Sequence, residues 1–531
     1  MSKSNEAKWY EFFSLPNPGL VTYFDRVRRG NPVEYRTTFF RNKSLAEVLA
    51  GWKPTIDEVG NRFPSLLEFE NDLKEKVGPL SIQLPLKDRI KDIDSYYDSI
   101  LLESEPISQS AEAAVIRDWK IVGKVQPRGQ RLVVDKMKKS TNSGNPFFTK
   151  RRAVVDKTMP VSLDIKELDV VQHLVFGDWQ SAAVLGWRGQ EGGPTDQDVK
   201  QRVVWMFPFG VNIAEQQVYQ PLIELGQKFN LVPAWVSSDA VDMTITKLFD
   251  TKGKHDSVIC TDFSKFDQHF NEDMQTCAYN IIKAILNSSA ESRTWLEAVF
   301  PVKYMIPLAY DYGKIRYGKH GMGSGSGGTN FDETLAHKAL QYECAQTNNQ
   351  MLNPNSMCLG DDGILTFPGI TPEKVMESYS KHGQDMNLDK QYASTHDCTY
   401  LRRWHDDKYR INNVCVGVYS TYRALGRLCE QERFYDPEVW GPKMVALRQL
   451  SILENCKYHP LRDEFVDYCM KGDKYRLGVD IPGFLDNIEE IGQEAIDLMP
   501  DFLGYTKSLD DPKGAYGIGS WWIVNYLKSK R

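Results

Sequence analysis

The chain has 531 residues, of which 41% are hydrophobic and 26% are charged, and its formal net charge is -6. A chain of this length can bury a large core, and its composition excludes the collagenous, fibrous and intrinsically disordered classes. No apolar run approaches the roughly 18 residues of a membrane helix, the start lacks a signal-peptide pattern, and the nine cysteines form no Cys-x-x-Cys pair, so we expect an unexported protein with reduced thiols.

The first distinctive segment along the chain is strongly basic. Residues 117–157 contain twelve Lys or Arg and three Asp, a net charge of +9 on a chain that is otherwise acidic. Such a stretch is typical of a channel that encloses a phosphate backbone, and a solvated basic surface is the alternative. Within it, the run Ser143-Gly144-Asn145-Pro146 predicts a loop.

A predicted strand carries the first candidate acid. The β-branched run Val258–Thr261 predicts a strand that ends at Asp262, and Asp267 follows five residues later, past a bend. Two more acids, Asp361 and Asp362, lie in a predicted hairpin. Asp262 beside this pair would gather three carboxylates, which suits two Mg2+ ions held about 3.5 to 4 Å apart.

The hairpin is predicted from two apolar runs, Met357–Leu359 and Ile364–Phe367. A two-residue loop closed by Asp-Gly between such runs is a strong hairpin signal. Taken alone, the turn is also typical of a solvated Asp-Asp-Gly surface loop. The interpretation as a metal site therefore depends on Asp262.

A glycine-rich run, from Gly321 to Thr329, leads into an amphipathic helix that is predicted over residues 331–344. Thr329 is the predicted N-cap, with Asp332 three residues later. Backbone N–H groups at such a helix start can hold a phosphate or a ribose. The run also contains Gly-x-Gly-x-x-Gly, which leaves a dinucleotide-binding oxidoreductase as an alternative, although no acid follows at a strand end as that motif requires.

The last quarter of the chain is predicted to be mostly helical. Asp436 is the predicted N-cap of a helix that begins with Pro437, and residues 460–470 and 486–499 are predicted to form further helices. Together with the predicted strands, these helices indicate an α+β protein.

The order of these motifs resembles that of a known family. Asp-x4-Asp, then Ser-Gly-x3-Thr at a helix start, then Gly-Asp-Asp in a hairpin are similar to motifs A, B and C of the viral RNA-dependent RNA polymerases. The runs Asp-Phe-Ser-Lys-Phe-Asp and Ser-Gly-Ser-Gly-Gly-Thr-Asn most resemble the picobirnavirus enzymes, with partitiviruses as the next relatives. Further similar segments are Thr141–Pro146 (motif G), Lys200–Val204 (motif F), Asn387–Lys390 (end of motif D) and Tyr400–Arg403 (motif E).

The resemblance implies a fold. The expected architecture is a closed right hand with fingers, a palm that contains an antiparallel sheet, and a mostly helical thumb. The implied boundaries are 1–85 for an N-terminal extension that bridges fingers and thumb, 86–231 for fingers with motifs G and F, 232–270 for palm with motif A, 271–318 for a fingers insertion, 319–428 for palm with motifs B, C, D and E, and 429–531 for the thumb and C-terminal tail.

The resemblance also implies a role for each candidate residue. Asp262, Asp361 and Asp362 would be catalytic and would hold the metal ions, which are Mg2+ with Mn2+ as a substitute. Lys390 would be a catalytic general acid toward the pyrophosphate leaving group. The implied nucleotide contacts are Asp267, Ser324, Gly325, Thr329, Asn330, Lys200, Arg202 and Arg188, and the implied RNA contacts are Ser143, Gly144, Pro146, Arg402 and Arg403.

One position departs from the family pattern. Asp267 would read the ribose hydroxyls, and many such enzymes assist it with an Asn four residues after the motif B Thr. Here Glu333 occupies that position, and Asn330 is a candidate substitute. The basis of ribose selection is therefore open.

The implied function is an RNA-dependent RNA polymerase that replicates and transcribes a segmented double-stranded RNA genome by two-metal nucleotidyl transfer from NTPs to the 3′ end of RNA. The implied partners are template and product RNA, NTPs and the viral capsid protein, for a monomer located in the virion interior and host cytoplasm, without a membrane. A reverse transcriptase is the nearest alternative, but its usual metal motif has an aromatic residue where Gly360 stands. The aromatic segment from Tyr516 to Arg531 is a candidate priming element that enters the active-site cavity, with packing on the thumb as the alternative.

Overall fold

The structure, a computed structural model, describes residues 5–7, 19–166, 169–174, 177–498 and 517–531. None of the helices in these ranges is long and apolar enough to cross a membrane. The helices are α1 (Gly19–Arg29), α2 (Leu45–Ile56), α3 (Pro64–Lys74), α4 (Ile90–Asp98), α5 (Gln109–Trp119), α6 (Gln130–Lys136), α7 (Val155–Thr158), α8 (Phe209–Lys228), α9 (Pro233–Val236), α10 (Ser238–Thr251), α11 (Glu272–Ile285), α12 (Ala290–Ala298), α13 (Thr329–Thr347), α14 (Pro372–Ser380), α15 (Thr421–Cys429), α16 (Pro437–Glu454), α17 (Arg462–Lys471), α18 (Ile488–Leu498) and α19 (Trp522–Lys528).

The strands form separate sheets in which nearly all pairings are antiparallel. They are β1 (Asn5–Ala7), β2 (Ser162–Lys166), β3 (Asp169–Leu174), β4 (Gly177–Gln180), β5 (Ala183–Gln190), β6 (Lys200–Met206), β7 (Val258–Thr261), β8 (Leu308–Asp311), β9 (Lys314–Tyr317), β10 (Met357–Leu359), β11 (Asp362–Leu365), β12 (Tyr392–Ser394), β13 (Asp397–Tyr400), β14 (Arg403–Asp406) and β15 (Val418–Tyr419). The sheet orders are β1-β9-β8-β5-β6, β10-β11-β7-β12, β13-β14-β15 and β2-β3-β4. Among the strands in the described ranges, only β5 and β8 pair in parallel. Helices and antiparallel sheets together confirm the predicted α+β class.

The sheet β10-β11-β7-β12 lies between two helices because its side chains alternate. Ile259 and Leu365 belong to the same buried cluster as Leu335 of α13, whereas Val258 and Ile364 pack with α10 on the opposite face. A strand places successive side chains on opposite faces, so these four apolar residues help to bury both sides of the sheet. The result is a rigid platform at the centre of the chain.

The predicted hairpin is present, but the Asp-Gly dipeptide does not form its loop. Leu359 pairs with Asp362, so the two loop residues are Gly360 and Asp361, and the Asp-Gly dipeptide begins β11 instead of closing the loop. Gly360 has φ +58, which glycine adopts without strain. Gly363 lies in β11, and only glycine fits there, because a Cβ would come within 2.6 Å of the His337 ring.

The motif B helix also begins one residue earlier than the predicted N-cap implies. Gly328 occupies the N-cap position of α13, and Thr329 is the first helical residue. The Thr329 hydroxyl donates to the carbonyls of Gly323 and Ser326 instead of capping the helix. Asp332 is turned into the core, where Tyr219 donates to it at 2.7 Å.

The C-terminal helices follow the predicted pattern. Asp436 caps α16 by accepting from the Glu438 N–H at 2.9 Å, and Gly472 ends α17. Gly441, with φ +78, and Pro442, which lacks an N–H, kink α16 near its start.

The last residues pack on this helical unit, which agrees with the alternative to the predicted priming role for 517–531. Ile523, Val524 and Leu527 of α19 are buried in the same cluster as Leu450 of α16. The Glu454 carboxylate accepts from the first N–H groups of α19. An apolar face and a capped start hold α19 on the thumb, and Tyr516 lies outside the described residues.

A buried ion cluster joins the predicted fingers to α15. The Glu191 carboxylate, which follows β5, accepts from Arg423 at 3.2 Å and from Arg427 at 3.0 Å, both on α15, and lies 3.8 Å from Arg402. Burial alone would raise the pKa of Glu191, but the three arginines hold it below its usual value. Since the loop after β5 and the helix α15 are far apart in sequence, this cluster closes the hand.

The N-terminal segment crosses the same gap. Leu84 donates its N–H to the Gln201 side chain at 2.9 Å in the fingers. Glu70 accepts from the Thr421 N–H at 2.7 Å at the start of α15. One continuous segment is therefore fixed to both sides of the closed hand.

Replacing Glu191 with Ala should open this contact. Three arginines would face one another without a counter-charge, and hydrogen exchange in α15 and in residues 189–200 should become about tenfold faster or more, because removing one member of a buried ion cluster typically costs several kcal/mol. Hydrogen exchange by mass spectrometry measures this. The exposed Glu47→Ala is the control, and unchanged exchange in the Glu191 variant would show that the cluster does not hold the hand closed.

Candidate active site

Two carboxylates face each other at one edge of the central sheet. Asp262 follows β7, and Asp361 occupies the adjacent hairpin loop; both side chains are exposed. Desolvation by the surrounding protein raises the pKa of Asp262, and the charge of Asp361 raises it further. The antiparallel pairing of β7 with β11 thus brings the predicted motif A and motif C acids together.

The backbone of Asp262 is fixed by Gln391. The Gln391 side chain accepts from the Asp262 N–H at 2.9 Å and donates to the Asp262 carbonyl at 2.8 Å. Gln391 immediately follows Lys390, so the same contact places the predicted general acid beside the site. Sequence reasoning missed Gln391, because a glutamine in a loop has no distinguishing pattern.

The hairpin loop is held from α13. Thr334 accepts from the Gly360 N–H at 2.9 Å, and His337 Nδ1 lies 2.8 Å from the Gly360 carbonyl. Burial lowers the pKa of His337 to about 4, so its ring is neutral and Nδ1 carries the hydrogen that it donates. Both backbone groups of Gly360 are therefore bound, and Asp361 sits on a fixed support.

Asp362 is turned toward a different partner. Its Oδ2 accepts from the Leu401 N–H at 2.8 Å, in the two-residue loop between β13 and β14. Leu401 and Arg402 both have positive φ, as a type I′ hairpin turn requires. Burial raises the pKa of Asp362 to about 7, and the charge of Asp361 adds to the effect. Asp362 links motif C to motif E, and its predicted role as a metal ligand stays a prediction.

The carboxylates suit a hard divalent cation. Among the residues that the structure describes, no three His, Cys, Asp or Glu side chains are grouped so as to hold a metal ion by themselves. Mg2+ binds through one or two protein carboxylates together with water and substrate phosphates. The facing carboxylates of Asp262 and Asp361, whose mutual repulsion a cation would relieve, fit this requirement.

Lysines from three separate segments surround the pair. Lys390 acts most strongly to lower the pKa of Asp262, and Lys76 and Lys200 act in the same direction. Lys200 and Arg202 are exposed on one face of β6, and Arg202 lowers the pKa of Asp267. Motif F therefore lies near motif A, and its predicted contact with the incoming triphosphate stays a prediction.

Lys76 is a residue that sequence reasoning missed. It follows α3 in the N-terminal segment, and two residues later Gly78 packs against Gly193 so closely that a Cβ would lie 1.7 Å from the Gly193 carbonyl oxygen. This contact fixes the segment beside the loop that leads to Lys200. No local pattern distinguishes Lys76 from other exposed lysines, and only the closed fold reveals it.

The motif B loop is attached to the free edge of β6. Ser324 donates to the Val203 carbonyl at 3.3 Å, and its oxygen lies 3.4 Å from the Trp205 N–H. A Cβ on Gly325 would lie 1.6 Å from the Trp205 carbonyl oxygen, so only glycine fits. This close backbone contact removes the reason to interpret the glycines as a dinucleotide site.

A buried carboxylate on α8 supports the other end of this loop. Glu215 accepts from the Ser326 hydroxyl, from the Gly327 N–H at 3.1 Å and from Asn212 at 3.0 Å. Burial raises the pKa of Glu215, and the nearby Lys303 lowers it. Glu215 was not predicted, since its partners lie about a hundred residues away.

Asp267 is hydrogen-bonded to Glu333. The Glu333 carboxyl donates and the Asp267 carboxylate accepts. Burial raises the pKa of both groups, and the charges of Asp267 and Asp361 raise the pKa of Glu333 further. Glu333 is therefore neutral and carries the shared proton. Asn330 is exposed, and its amide oxygen accepts from Trp235 at 2.8 Å.

The predicted RNA contacts differ in exposure. Ser143, Gly144 and Pro146 are buried, and a Cβ on Gly144 would lie 2.5 Å from the Phe207 carbonyl oxygen. The exposed residues of this loop are Thr141, Asn142, Thr149 and Lys150. The predicted motif G residues thus shape the loop, and their exposed neighbours are the ones available to a template.

The remaining predicted arginines lie around the closed hand. Arg188 is 68% exposed and 3.9 Å from Glu432. Arg402 pairs with Glu191, and Arg403 lies 3.3 Å from the Asn455 side chain and over the Tyr419 ring. Arg188 is the most exposed of the three for which the structure gives an ion pair or side-chain contact, and Arg402 and Arg403 are held by these neighbours.

The comparisons with known proteins agree with this geometry. Residues 134–412 match the family model of the viral RNA-dependent RNA polymerases. The chain therefore belongs to this family and is an RNA-directed RNA polymerase. It is 58% identical over 528 residues to a protein named "Potential RNA-dependent RNA polymerase" of Human picobirnavirus (strain Human/Thailand/Hy005102/-), a match that covers 98% of this chain and 99% of the relative.

Solved structures support the same assignment. The crystal structure of the RNA-dependent RNA polymerase of a human picobirnavirus is 58% identical, with a TM-score of 0.93, and its insertion loop deletion mutant is 56% identical, with a TM-score of 0.92. Each match covers 98% of both chains. The Sicinivirus 3Dpol polymerase, 14% identical with a TM-score of 0.52 over 72% of this chain and 85% of its own, shares the fold. The predicted picobirnavirus resemblance and closed right-hand fold are confirmed.

The shared proton on Glu333 predicts a pH-dependent effect. The pKa of Glu333 is raised in the folded state. The contribution of its protonated form to the free energy of unfolding is therefore fully present below the unfolded pKa, and it is lost as the pH rises toward the folded pKa. Glu333→Gln, which keeps a hydrogen-bond donor without titrating, should therefore gain stability relative to the natural chain as the pH is raised from 5 to 8. Thermal unfolding across this range measures the difference. The exposed Glu47→Gln is the control, and a constant difference in Tm would contradict the shared proton.

Proposed function

We propose that this polymerase transfers nucleotides from NTPs to the 3′ end of an RNA strand at the Asp262–Asp361 pair, with Mg2+ as cofactor and Mn2+ as a substitute. The observation that carries the proposal is the pair itself: two facing carboxylates on fixed backbone, surrounded by lysines from three segments. When bound, Mg2+ would lower the pKa of the attacking hydroxyl and neutralise the triphosphate. Asp262 and Asp361 would hold it, and Asp362 would fix the hairpin through its hydrogen bond with the Leu401 N–H.

The lysines would have different roles: two would bind the triphosphate, and one would donate a proton. Lys200 and Lys76 face the carboxylates from the fingers and the N-terminal segment, where they would hold the negatively charged triphosphate. Arg202, on the same face of β6 as Lys200, would extend this contact. Lys390, fixed by its neighbour Gln391, would donate a proton to the departing pyrophosphate.

Ribose selection would involve the carboxyl pair. Asp267 would accept from a ribose hydroxyl, and the neutral Glu333 would orient Asp267 by donating to its other oxygen. Asn330, Ser324, Gly325 and Thr329 would form the adjoining wall of the nucleotide pocket, because they are at least partly exposed.

The biological role is inferred from the relatives. Similarity to picobirnavirus polymerases over nearly the whole chain supports replication and transcription of a segmented double-stranded RNA genome in the virion interior and host cytoplasm. We infer a monomer with template and product RNA and the capsid protein as partners. Arg402, Arg403 and the loop around Ser143 would contact RNA.

Loss of either facing carboxylate should abolish synthesis. With purified chain, single-stranded RNA, four labelled NTPs and Mg2+ or Mn2+, Asp262→Asn and Asp361→Asn should each lower the rate by about a thousandfold or more, since a metal centre contributes several kcal/mol of charge stabilisation. The exposed Asp239→Asn should keep full activity. Template-length product from the Asp361 variant, or none from the natural chain under either metal, would overturn the proposed mechanism.

Substitutions of Lys76 and Lys390 should affect different kinetic constants, KM and kcat. Lys76→Met removes a charge that holds the triphosphate, and should raise KM for NTPs about tenfold with little change in kcat. Lys390→Leu removes a proton donor, and should lower kcat by about a hundredfold without abolishing activity. Steady-state kinetics on one primed template measures both. An unchanged kcat would remove Lys390 from the mechanism, and an unchanged KM would remove Lys76.

A further inference from the structure

A second basic cavity lies in the fingers, outside the active site. It has a volume of about 780 Å³. It lies between the end of α1, the segment 85–90 and the β8–β9 hairpin, and β5 separates β8 from the strand that carries Lys200 and Arg202. The lining residues are Arg28, Arg29, Pro85, Leu86, Lys87, Ile90, Tyr310, Asp311, Lys314 and Arg316.

The cavity has an excess of positive charge. Of the ten lining residues in the described part of the chain, five are Lys or Arg, and one, Asp311, is an acid. Arg28 is paired with Asp311 at 2.5 Å, and Arg316 with Asp94 at 2.9 Å. The three other cations, Arg29, Lys87 and Lys314, are exposed and form no ion pair with any carboxylate in the described part of the chain. Three exposed cations therefore line one concave surface.

The remaining wall is apolar and partly aromatic. Pro85, Leu86 and Ile90 supply aliphatic surface, and the Tyr310 ring lies beneath the Arg316 guanidinium at 4.6 Å. Buried groups on this wall are held by the fold: the Tyr310 hydroxyl accepts from Arg316 at 2.6 Å. A few hundred cubic ångströms with apolar walls and a small number of charged groups is the usual form of a small-molecule site.

We propose that this cavity binds the triphosphate group of a nucleotide or of an RNA 5′ end. A triphosphate brings several negative charges into the space of one nucleotide, which matches three cations that line the cavity and form no ion pair in the described part of the chain. The apolar wall would accommodate the attached nucleoside. Neither the catalytic carboxylates nor the lysines around them take part in this site.

Two RNAs of one sequence provide the test. A 10-nucleotide RNA with a 5′ triphosphate and the same RNA with a 5′ hydroxyl share every contact except those to the terminal phosphates. We expect the triphosphate form to bind the full chain about tenfold more tightly, with an advantage that falls as salt is raised. Fluorescence anisotropy measures both affinities.

Charge-removing variants locate the effect. Lys87→Met with Lys314→Met should abolish the advantage of the triphosphate, whereas Lys43→Met with Lys254→Met, which removes the same charge at exposed positions elsewhere, should keep it. Elongation of a preformed primer–template should be unchanged in both double variants, which shows that they fold. ATP that competes with the RNA would identify free nucleotides as a second source of the same ligand.

Three results would overturn the proposal. Equal affinity of the natural chain for both RNAs would show that no triphosphate is bound. An advantage that persists in the Lys87–Lys314 variant would place the triphosphate elsewhere, as at the catalytic centre. Displacement of the RNA by oligoglutamate as efficiently as by tripolyphosphate would identify an acidic peptide as the ligand of the cavity instead.

Discussion

Repulsion between the Asp262 and Asp361 carboxylates is the constraint around which this structure is built. Left to themselves, two like charges near each other would separate or one would take up a proton. Here the backbone prevents separation: Gln391 binds both backbone groups of Asp262, and α13 binds both backbone groups of Gly360. Protonation is opposed by the nearby lysines, which lower the pKa of Asp262 against the effect of desolvation. The site is therefore held ready for a cation, and its geometry does not depend on one.

The same lysines explain why the hand must be closed. Lys76, Lys200 and Lys390 come from the N-terminal segment, the fingers and the palm, and no two of them lie in one element. They act on one carboxylate only because Glu191 joins the fingers to α15 and the N-terminal segment is bound on both sides. Closure of the hand and the electrostatics of the site are thus one property. Opening the fingers would move Lys76 and Lys200 away from the carboxylates and would also widen the active-site cavity.

Local patterns predicted the local structure well. The strand that ends at Asp262, the helix after the glycine run and the Asp436 cap all follow from periodicity and capping, which act over a few residues. The Asp-Gly dipeptide was predicted in the hairpin loop because Gly360 and Gly363 both permit a turn; in the structure Gly360 takes the turn, and Gly363 lies in β11, close to the His337 ring. Gln391, Glu215 and Lys76 could not be predicted, since each acts through partners more than a hundred residues away or through the closed fold. The resemblance supplied the roles of the acids, but not the residues that support them.

Glu333 shows how a departure from a family pattern can keep its chemistry. An amide was expected at this position, and an ionised glutamate would place a third negative charge beside Asp267 and Asp361. Burial prevents this, because it raises the pKa of Glu333, and the adjacent Asp267 raises it further. The neutral carboxyl then donates to Asp267 as an amide N–H would, and Glu333 and Arg202 lower the pKa of Asp267 against the larger effect of burial. A donor is thus retained at this position without an amide, and it is retained only as long as the closed fold excludes water from Glu333.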